Sequence, residues 1–490
     1  MLGLDAAELD LIEQGITSGN LPHLARLREQ GEFDTIATSA ELFPGSVWPT
    51  FYRSESVAEH GLYHNILWNP HAMRFDSVNR SWKSEQPFWH DINQDHRIAI
   101  ADIPMIFGSP RSLPGIHLTG WAMHDRMQKA SYPDDLWDEL VSTHGEPIMG
   151  SEPFEPQSVT DLVSMGDRLR KATDQFGDVL VDLYEREPWD LFLAAVGTPH
   201  RAGHYFWAPE KYCTDEPTDT QRQQLSSTLT NVYASCDRAV GRLIDRAPAN
   251  SRIILFSLHG MKENPVWQHR LPDLINQIEG QGTATAAGGG GGWVGTIRQY
   301  IPDQLVSRFK QALPKMLRDP IMTTWYDQVF DWDSTRVFTL TGDHIGLLRI
   351  NLKGREPEGI IHPDEEYNTL LTHIEDGLLD FSDSQTGQPI VDRVVRQQDA
   401  FDAEASNRHL LPDLFVHWND DVPARKVRKV ESQQHGNLSW PQPSVSPSGR
   451  SGEHRARAWC CATGPGIDQE TLSDVHHITD LVPHLLPEFN

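Results

Sequence analysis

Trp189–His204 reads WDLFLAAVGTPHRAGH. Trp189–Val196 is an almost unbroken apolar run of strand length, the pattern of a strand covered on both faces of a parallel sheet. It leads through Gly197-Thr198-Pro199 directly into His200 and His204. The pattern then recurs. Leu225–Ala247 has helical periodicity, and Arg252–Phe256 (RIILF) is a second buried strand, ending in Ser257-Leu258-His259-Gly260-Met261. Upstream, Met1–Leu4 reads as a strand stub followed by Asp5 and a helix over Ala6–Ile16. Asn20–Gln30 is a second helix, stopped by Gly31. Arg97–Pro104 and Gly115–Gly120 are further strands, and Leu136–Val141 and Val159–Glu185 further helices. Strands alternating with helices predict an α/β fold: a mostly parallel, doubly wound sheet flanked by helices. In such sheets ligands bind at the carboxyl ends of the strands, which is where Asp5, His200, His204 and His259 fall.

From Lys262 to about Leu411 the texture changes. A Gly288–Gly292 run reads as a loop tip, IPDQLVSRFKQALPKML as a helix, and Thr335–Leu352 as a β-hairpin around Thr341-Gly342-Asp343. Lys353–Pro357 is a polar loop and Glu365–Leu379 a helix. This block predicts an inserted cap over residues 262–411, within a core formed by 1–261 and 412–490. Pro412–Trp418 returns to strand character. Asp420–Arg450 reads as a long loop, Ala458–Ala462 as a strand and His477–Leu486 as a closing helix. There are no internal repeats.

The 490 residues carry 42 basic against 69 acidic side chains, a net charge of −27. Such a surface repels nucleic acid and anionic lipid, so neither polymer nor membrane is an expected partner. A small anionic substrate then needs metal ions or a local arginine cluster to reverse the field. The four cysteines, Cys213, Cys236, Cys460 and Cys461, form no C-x-x-C pair and are expected as reduced thiols. No leader pattern and no run of about 20 apolar residues is present, so a cytoplasmic location is expected. The opening MLGLDAAELDLI is very short for a strand before Asp5, as if earlier residues of it were missing.

A further stretch completes the active edge: Leu42–His60, LFPGSVWPTFYRSESVAEH. A Pro-Gly turn sets Ser46 at the start of an amphipathic run. By itself Ser46 reads best as an N-cap. The position is also an anion site, because backbone N–H groups and the dipole meet there. His200 and His204, at i and i+4, share a helix face and are spaced to hold one metal. With His259, His454 and Asp5 they make five candidate ligands at one edge. Asp5 reads equally well as an N-cap. The combination suits phosphoryl or sulfuryl transfer: a metal-activated serine hydroxyl as nucleophile, with a helix N-terminus or second metal stabilising the anionic oxygens. Neither a G-x-S-x-G elbow nor a phosphate-binding G-x-x-x-x-G-K-[ST] loop is present.

GLDAAELDLI, FPGSVWPTF followed by EHG, GTPHRAGHYFW, FSLHGM, GDHIGLLRINLKGREPEGI, GEHRARAWCCATGPGI and ITDLVPHLL span nearly the whole chain. Together they resemble, in order, the type I phosphodiesterase/nucleotide pyrophosphatase branch of the alkaline phosphatase superfamily. The resemblance implies an alkaline phosphatase-like core and hydrolysis of a small-molecule phosphate ester through a covalent serine intermediate. It implies a divalent metal, zinc with manganese as the alternative, as one or two ions. Asp5 would bind one ion with the nucleophile and His259; His200, His204 and His454 would bind the other. Ser46 would be the nucleophile, with Thr50, one helical turn on, as the alternative, and the Gly45 and Val47 N–H groups would hold the oxyanion. Arg349, Lys353 and Arg355 are candidates for substrate contact on charge alone; a solvated loop is the preferred reading.

Four positions depart from the family pattern. Leu258 stands where Asp is usual, His200 where many members have Asp, and Arg53-Ser54 where Thr-Gly is usual. The loss of a carboxylate weakens one metal position. Phosphomonoester, sulfate-ester and phosphonate hydrolysis on the same fold remain alternatives, although Ser46-Val47-Trp48-Pro49 lacks the sulfatase C/S-x-P-x-R pattern. A binding protein weakened in catalysis by ligand loss is another.

Overall fold

The computed structural model describes all residues except 79–86, 94, 107–112, 123–128, 151, 154, 281–329, 443, 445, 447 and 490. The Gly288–Gly292 run and the expected helix after it lie outside the described residues. The chain forms two compact units. The first comprises Met1–His60, Asn79–Asn264 and Ser446–Asn490, and the second Gly61–Val78 and Pro265–Val445.

The first unit is built on an eight-stranded sheet. Its order is Glu32–Ile36, Ala458–Thr463, Ile253–Ser257, Leu2–Leu4, Leu191–Val196, Ile98–Ala101, Gly115–Thr119, Ala130–Tyr132. The five strands from Ile253–Ser257 to Gly115–Thr119 pair in parallel, as the apolar runs predict. Ala458–Thr463 pairs antiparallel with both of its neighbours, and Ala130–Tyr132 antiparallel with Gly115–Thr119.

Successive strand residues feed opposite faces, and both faces are filled. Leu2, Leu4, Ala99, Ala101, Ala194, Val196 and Leu255 join one apolar cluster, shared with the helices Leu9–Thr17, Pro22–Gln30, Val159–Glu185 and Asp219–Ile244. Ile98, Ile100, Leu193, Ala195, Ile254 and Phe256 join a second, shared with Val47–Arg53 and Leu481–Leu485. Each such Leu, Ile or Val side chain contributes about 1.5–3 kcal/mol when withdrawn from water. The Val159–Glu185 helix starts where Ser158 accepts from the Asp161 N–H, and it buries Leu162, Met165, Leu169, Phe176, Leu180 and Leu183 along one stripe. Asp219–Ile244 begins six residues before the expected Leu225, because Thr218 and Gln221 form a reciprocal capping box.

The second unit holds a four-stranded antiparallel sheet in the order Val337–Leu340, Gly346–Ile350, Leu414–Trp418, Val391–Arg396. The Thr335–Leu352 hairpin is present, with Leu340 opposite Leu347. Leu414–Trp418 lies between Gly346–Ile350 and Val391–Arg396. The units therefore divide the chain at different places from the expected 262–411 insertion. Asp420–Arg450 is not one long loop either: Lys429–Ser432 and Gly436–Ser439 pair as a hairpin on Ser382–Asp383. All four cysteines are free thiols. Among the described residues no helix is long and apolar enough to cross a membrane.

Candidate metal centre

The site is assembled from strand ends. Leu4 lies opposite Val196 in the parallel register, and the Asp5 N–H donates to the Val196 carbonyl at 3.0 Å. Asp5 and the following Thr198–Phe206 helix therefore leave the sheet at one level. That helix, with Pro199 in its first turn, carries His200 and His204 one turn apart. Beyond Ile253–Ser257, the short strand Gly260–Glu263 pairs antiparallel with Gly452–Arg455, setting Met261 opposite His454. His259 and His454 thus become neighbours across 195 residues of chain, their ring centres 4.8 Å apart.

All five expected ligands come together here, and all are buried. His200 Nε2 lies 3.0 Å from His204 Nε2 and 2.8 Å from His454 Nε2. The His204 Nδ1 is 3.0 Å from the Gly452 carbonyl oxygen, which can only accept, so the nitrogen donates. His200 Nδ1 meets Asp5 Oδ2 at 2.8 Å. The other carboxylate oxygen, Oδ1, accepts from the Trp48 indole N–H at 2.8 Å. Burial by itself raises the Asp5 pKa. The charge and hydrogen bond of His200, the charge of His259 and the Trp48 N–H together outweigh it and hold the carboxyl below its usual range. Asp5 is thus an acceptor, and His200 donates its Nδ1–H to it. His204 is pushed well below an ordinary histidine, first by burial and then by the positive charge of Arg450, to which a proton on His200 or His454 would add.

With both Nδ1 positions protonated, the Nε2 lone pairs point at one another. At about 3 Å such lone pairs repel unless a proton or a cation lies between them. The donors of His200, His204 and His454 all fall within 4.8 Å of one another. Three imidazoles converging through Nε2 in this way fit a borderline divalent ion such as zinc.

Supporting groups had no distinct sequence signal. Trp48 read as part of an apolar helix face. Glu453 Oε1 stands 3.3 Å from His454 Nδ1. Buried Glu8 accepts from the Met261 N–H at 3.0 Å, fixing the chain just after His259. Glu8, rather than Asp5, caps the first helix, accepting from the Asp10 N–H. Arg450, partly buried and paired with Glu152 at 2.7 Å, and buried Arg201, bonded to the Met149 and Gly150 carbonyls, supply positive charge.

Ser46 occupies the position before the Val47–Arg53 helix, but its side chain makes no cap. Its buried hydroxyl donates to the Phe43 carbonyl at 3.0 Å and lies 3.2 Å from the Ser39 hydroxyl. Thr50 Oγ1 is 3.1 Å from His60 Nε2, both buried. Gly45 lies in the 3-10 turn Pro44–Ser46, and Val47 opens the helix.

The basic residues of the second unit require a correction. Arg349 and Arg355 line neither a solvated loop nor an open substrate surface. The Arg349 side chain is fully buried, bonded to Glu356 at 2.7 Å and to the Leu411 and His409 carbonyls. Arg355 binds Asp413 at 2.7 Å and Glu356 at 3.1 Å. Lys353 alone behaves as a surface group, 2.8 Å from His362.

The family model for type I phosphodiesterase / nucleotide pyrophosphatase matches residues 1–437. The chain belongs to that family. Among solved structures, this family member resembles phosphonoacetate hydrolase from Sinorhizobium meliloti 1021 in complex with phosphonoacetate. The TM-score is 0.51 at 10% identity, over 98% of this chain and 92% of that one, a likeness of fold. It also matches human ectonucleotide pyrophosphatase / phosphodiesterase 5, with TM-score 0.43 and 12% identity over 100% of this chain and 94% of that one. Comparison with curated proteins returns no match.

Proposed function

We propose that this chain is a divalent-metal-dependent hydrolase of small phosphate esters, cutting phosphodiester or pyrophosphate bonds. The observation that carries the reading is the convergence of the His200, His204 and His454 Nε2 atoms at the carboxyl edge of the sheet. Membership of the family supports it. His200, His204 and His454 would hold the ion, zinc or manganese. A bound divalent ion supplies Lewis acidity toward a phosphoryl oxygen and lowers the pKa of a hydroxyl beside it. The protein's own part is orientation. Asp5 and the Gly452 carbonyl accept hydrogen bonds from the Nδ1–H groups of His200 and His204 and so aim their Nε2 lone pairs inward.

Ser46 is the candidate nucleophile. It lies two residues before Trp48, whose indole ties the same helix to Asp5. To act, its hydroxyl must turn from the Phe43 carbonyl. The four free thiols suit a reducing compartment such as the cytoplasm.

The test is hydrolysis of bis-(p-nitrophenyl) phosphate, p-nitrophenyl phosphate, a dinucleotide pyrophosphate, phosphonoacetate and p-nitrophenyl sulfate, each with Zn²⁺ or Mn²⁺. The diester or the pyrophosphate is expected to be the best substrate. Ser46→Ala is expected to lose at least 10²-fold in kcat, while Thr50→Ala keeps most of it. The reverse pattern moves the nucleophile to Thr50. No turnover of any ester with either metal discards the enzyme reading in favour of a binding protein.

A further inference from the structure

We propose that the centre is mononuclear. One divalent ion sits on His200, His204 and His454, and Asp5 stands outside it as the carboxylate that positions His200. The inference rests on the metal-dependent reading above and narrows it.

Three observations converge. First, the mutually close nitrogen donors are those three histidines. His259 is placed against His454 by ring contact, and its ring centre is 5.9 Å from that of His200. Second, each Asp5 oxygen is already engaged by an N–H: Oδ1 by Trp48 and Oδ2 by His200, both at 2.8 Å. A carboxylate in that state matches the outer member of a carboxylate–histidine–metal triad, which fixes the tautomer and raises the basicity of the inner nitrogen. Third, Asp5 is not at liberty to swing. The Trp48 ring that holds it is buried between Phe51 and Phe256, at ring-centre distances of 5.8 and 5.9 Å. A second ion placed between Asp5 and His259 would have to use the remaining lone pair of an oxygen that already accepts an N–H. Its next chain neighbour there would be Leu258, a buried hydrocarbon side chain that offers no donor atom.

The experiment is metal counting on the full-length protein. The chain is loaded with Zn²⁺, dialysed and measured by inductively coupled plasma mass spectrometry. In parallel, the apoprotein is titrated with Co²⁺ and followed by visible absorption. One equivalent per chain is expected in the wild type, with a single break in the Co²⁺ titration. His454→Ala is expected to bind none, and His259→Ala one. Asp5→Asn is expected to keep one equivalent, because the amide oxygen still accepts from His200 Nδ1. Its affinity should fall about 10- to 100-fold, and the Co²⁺ band should shift. Trp48→Phe, which leaves the carboxylate in place, serves as a second variant should Asp5→Asn fail to fold; it too should keep one equivalent with weakened binding. Two equivalents in the wild type, or loss of one of two in Asp5→Asn, overturns the mononuclear assignment but leaves the functional reading standing. Loss of all metal from folded Asp5→Asn makes Asp5 a direct ligand and also overturns it. No metal in the wild type overturns both.

Discussion

Gly452 is the residue on which the geometry of two histidines turns. A Cβ at this position would meet the Gly203 carbonyl oxygen at 2.1 Å, so the strand carrying His454 approaches the helix carrying His204 only because the side chain is absent. The same closeness puts the Gly452 carbonyl 3.0 Å from His204 Nδ1. Gly452→Ala is therefore expected to push the strand away, lowering stability by about 1–3 kcal/mol and weakening metal binding in the same variant. Urea unfolding and Co²⁺ titration measure the two; unchanged metal affinity in the variant would show that the close approach has no bearing on the site. His200, His204 and His259 were legible in the sequence, because buried strands run straight into them at the ligand-binding edge. Their orienting partners were not. A backbone carbonyl has no sequence signature, and Trp48 is indistinguishable from a core aromatic until the fold brings it to Asp5.

Among the elements, the strand Gly346–Ile350 raises a problem that its charge conceals. Arg349 is completely buried on it, and the partners Glu356 and Asp413 are buried too. Burial pushes the Arg349 pKa down, with Arg355 adding to it, against the pull of Glu356 and Asp413. Asp413 accepts from Arg355, from the Ile350 N–H at 2.6 Å and from Tyr367 at 2.7 Å. So closed a network costs little when whole and much when broken. Arg349→Met is expected to destabilise the protein by roughly 3–5 kcal/mol, because Glu356 keeps its burial and loses a partner. Replacing Glu356 by Gln in the same chain should recover part of the loss, and a double-mutant cycle on urea midpoints reads both values. From the sequence Arg349 belonged to a hairpin and Arg355 to a polar loop, since pairing between Arg355 and a carboxylate 58 residues away leaves no local trace. The hairpin Lys429–Ser439 was hidden for a related reason: its strands are four residues each, with one buried apolar residue apiece, Val430 and Leu438. The parallel strands were readable because burial on both faces demands continuous apolar runs. The edge strand Glu32–Ile36, mostly polar and half exposed, carries no such demand.

For the whole molecule part of the pH response comes from two buried histidines outside the five candidate ligands, His60 and His117. Burial, assisted by the charge of Arg53, pushes His60 down to about 3. Burial, assisted by His90, does the same to His117, whose ring nitrogens find no hydrogen-bond partner among the described residues. In the unfolded chain both groups titrate near 6.5. Between about pH 6.5 and 3 the unfolded state therefore binds more protons than the folded one. Stability is full above that window and falls as the pH drops through it, by up to about 1.4 kcal/mol per pH unit for each group. The net charge of −27 acts in the opposite sense lower down, because protonating carboxylates below about pH 4.5 relieves self-repulsion. The histidine contribution is thus cleanest between pH 5 and 6.5. There the urea midpoint of the wild type is expected to fall steadily with acid, and that of His117→Leu to fall less steeply, since the apolar replacement has no proton to bind in the unfolded state. Parallel slopes for the two proteins would remove His117 from the account and leave the acid sensitivity to other groups.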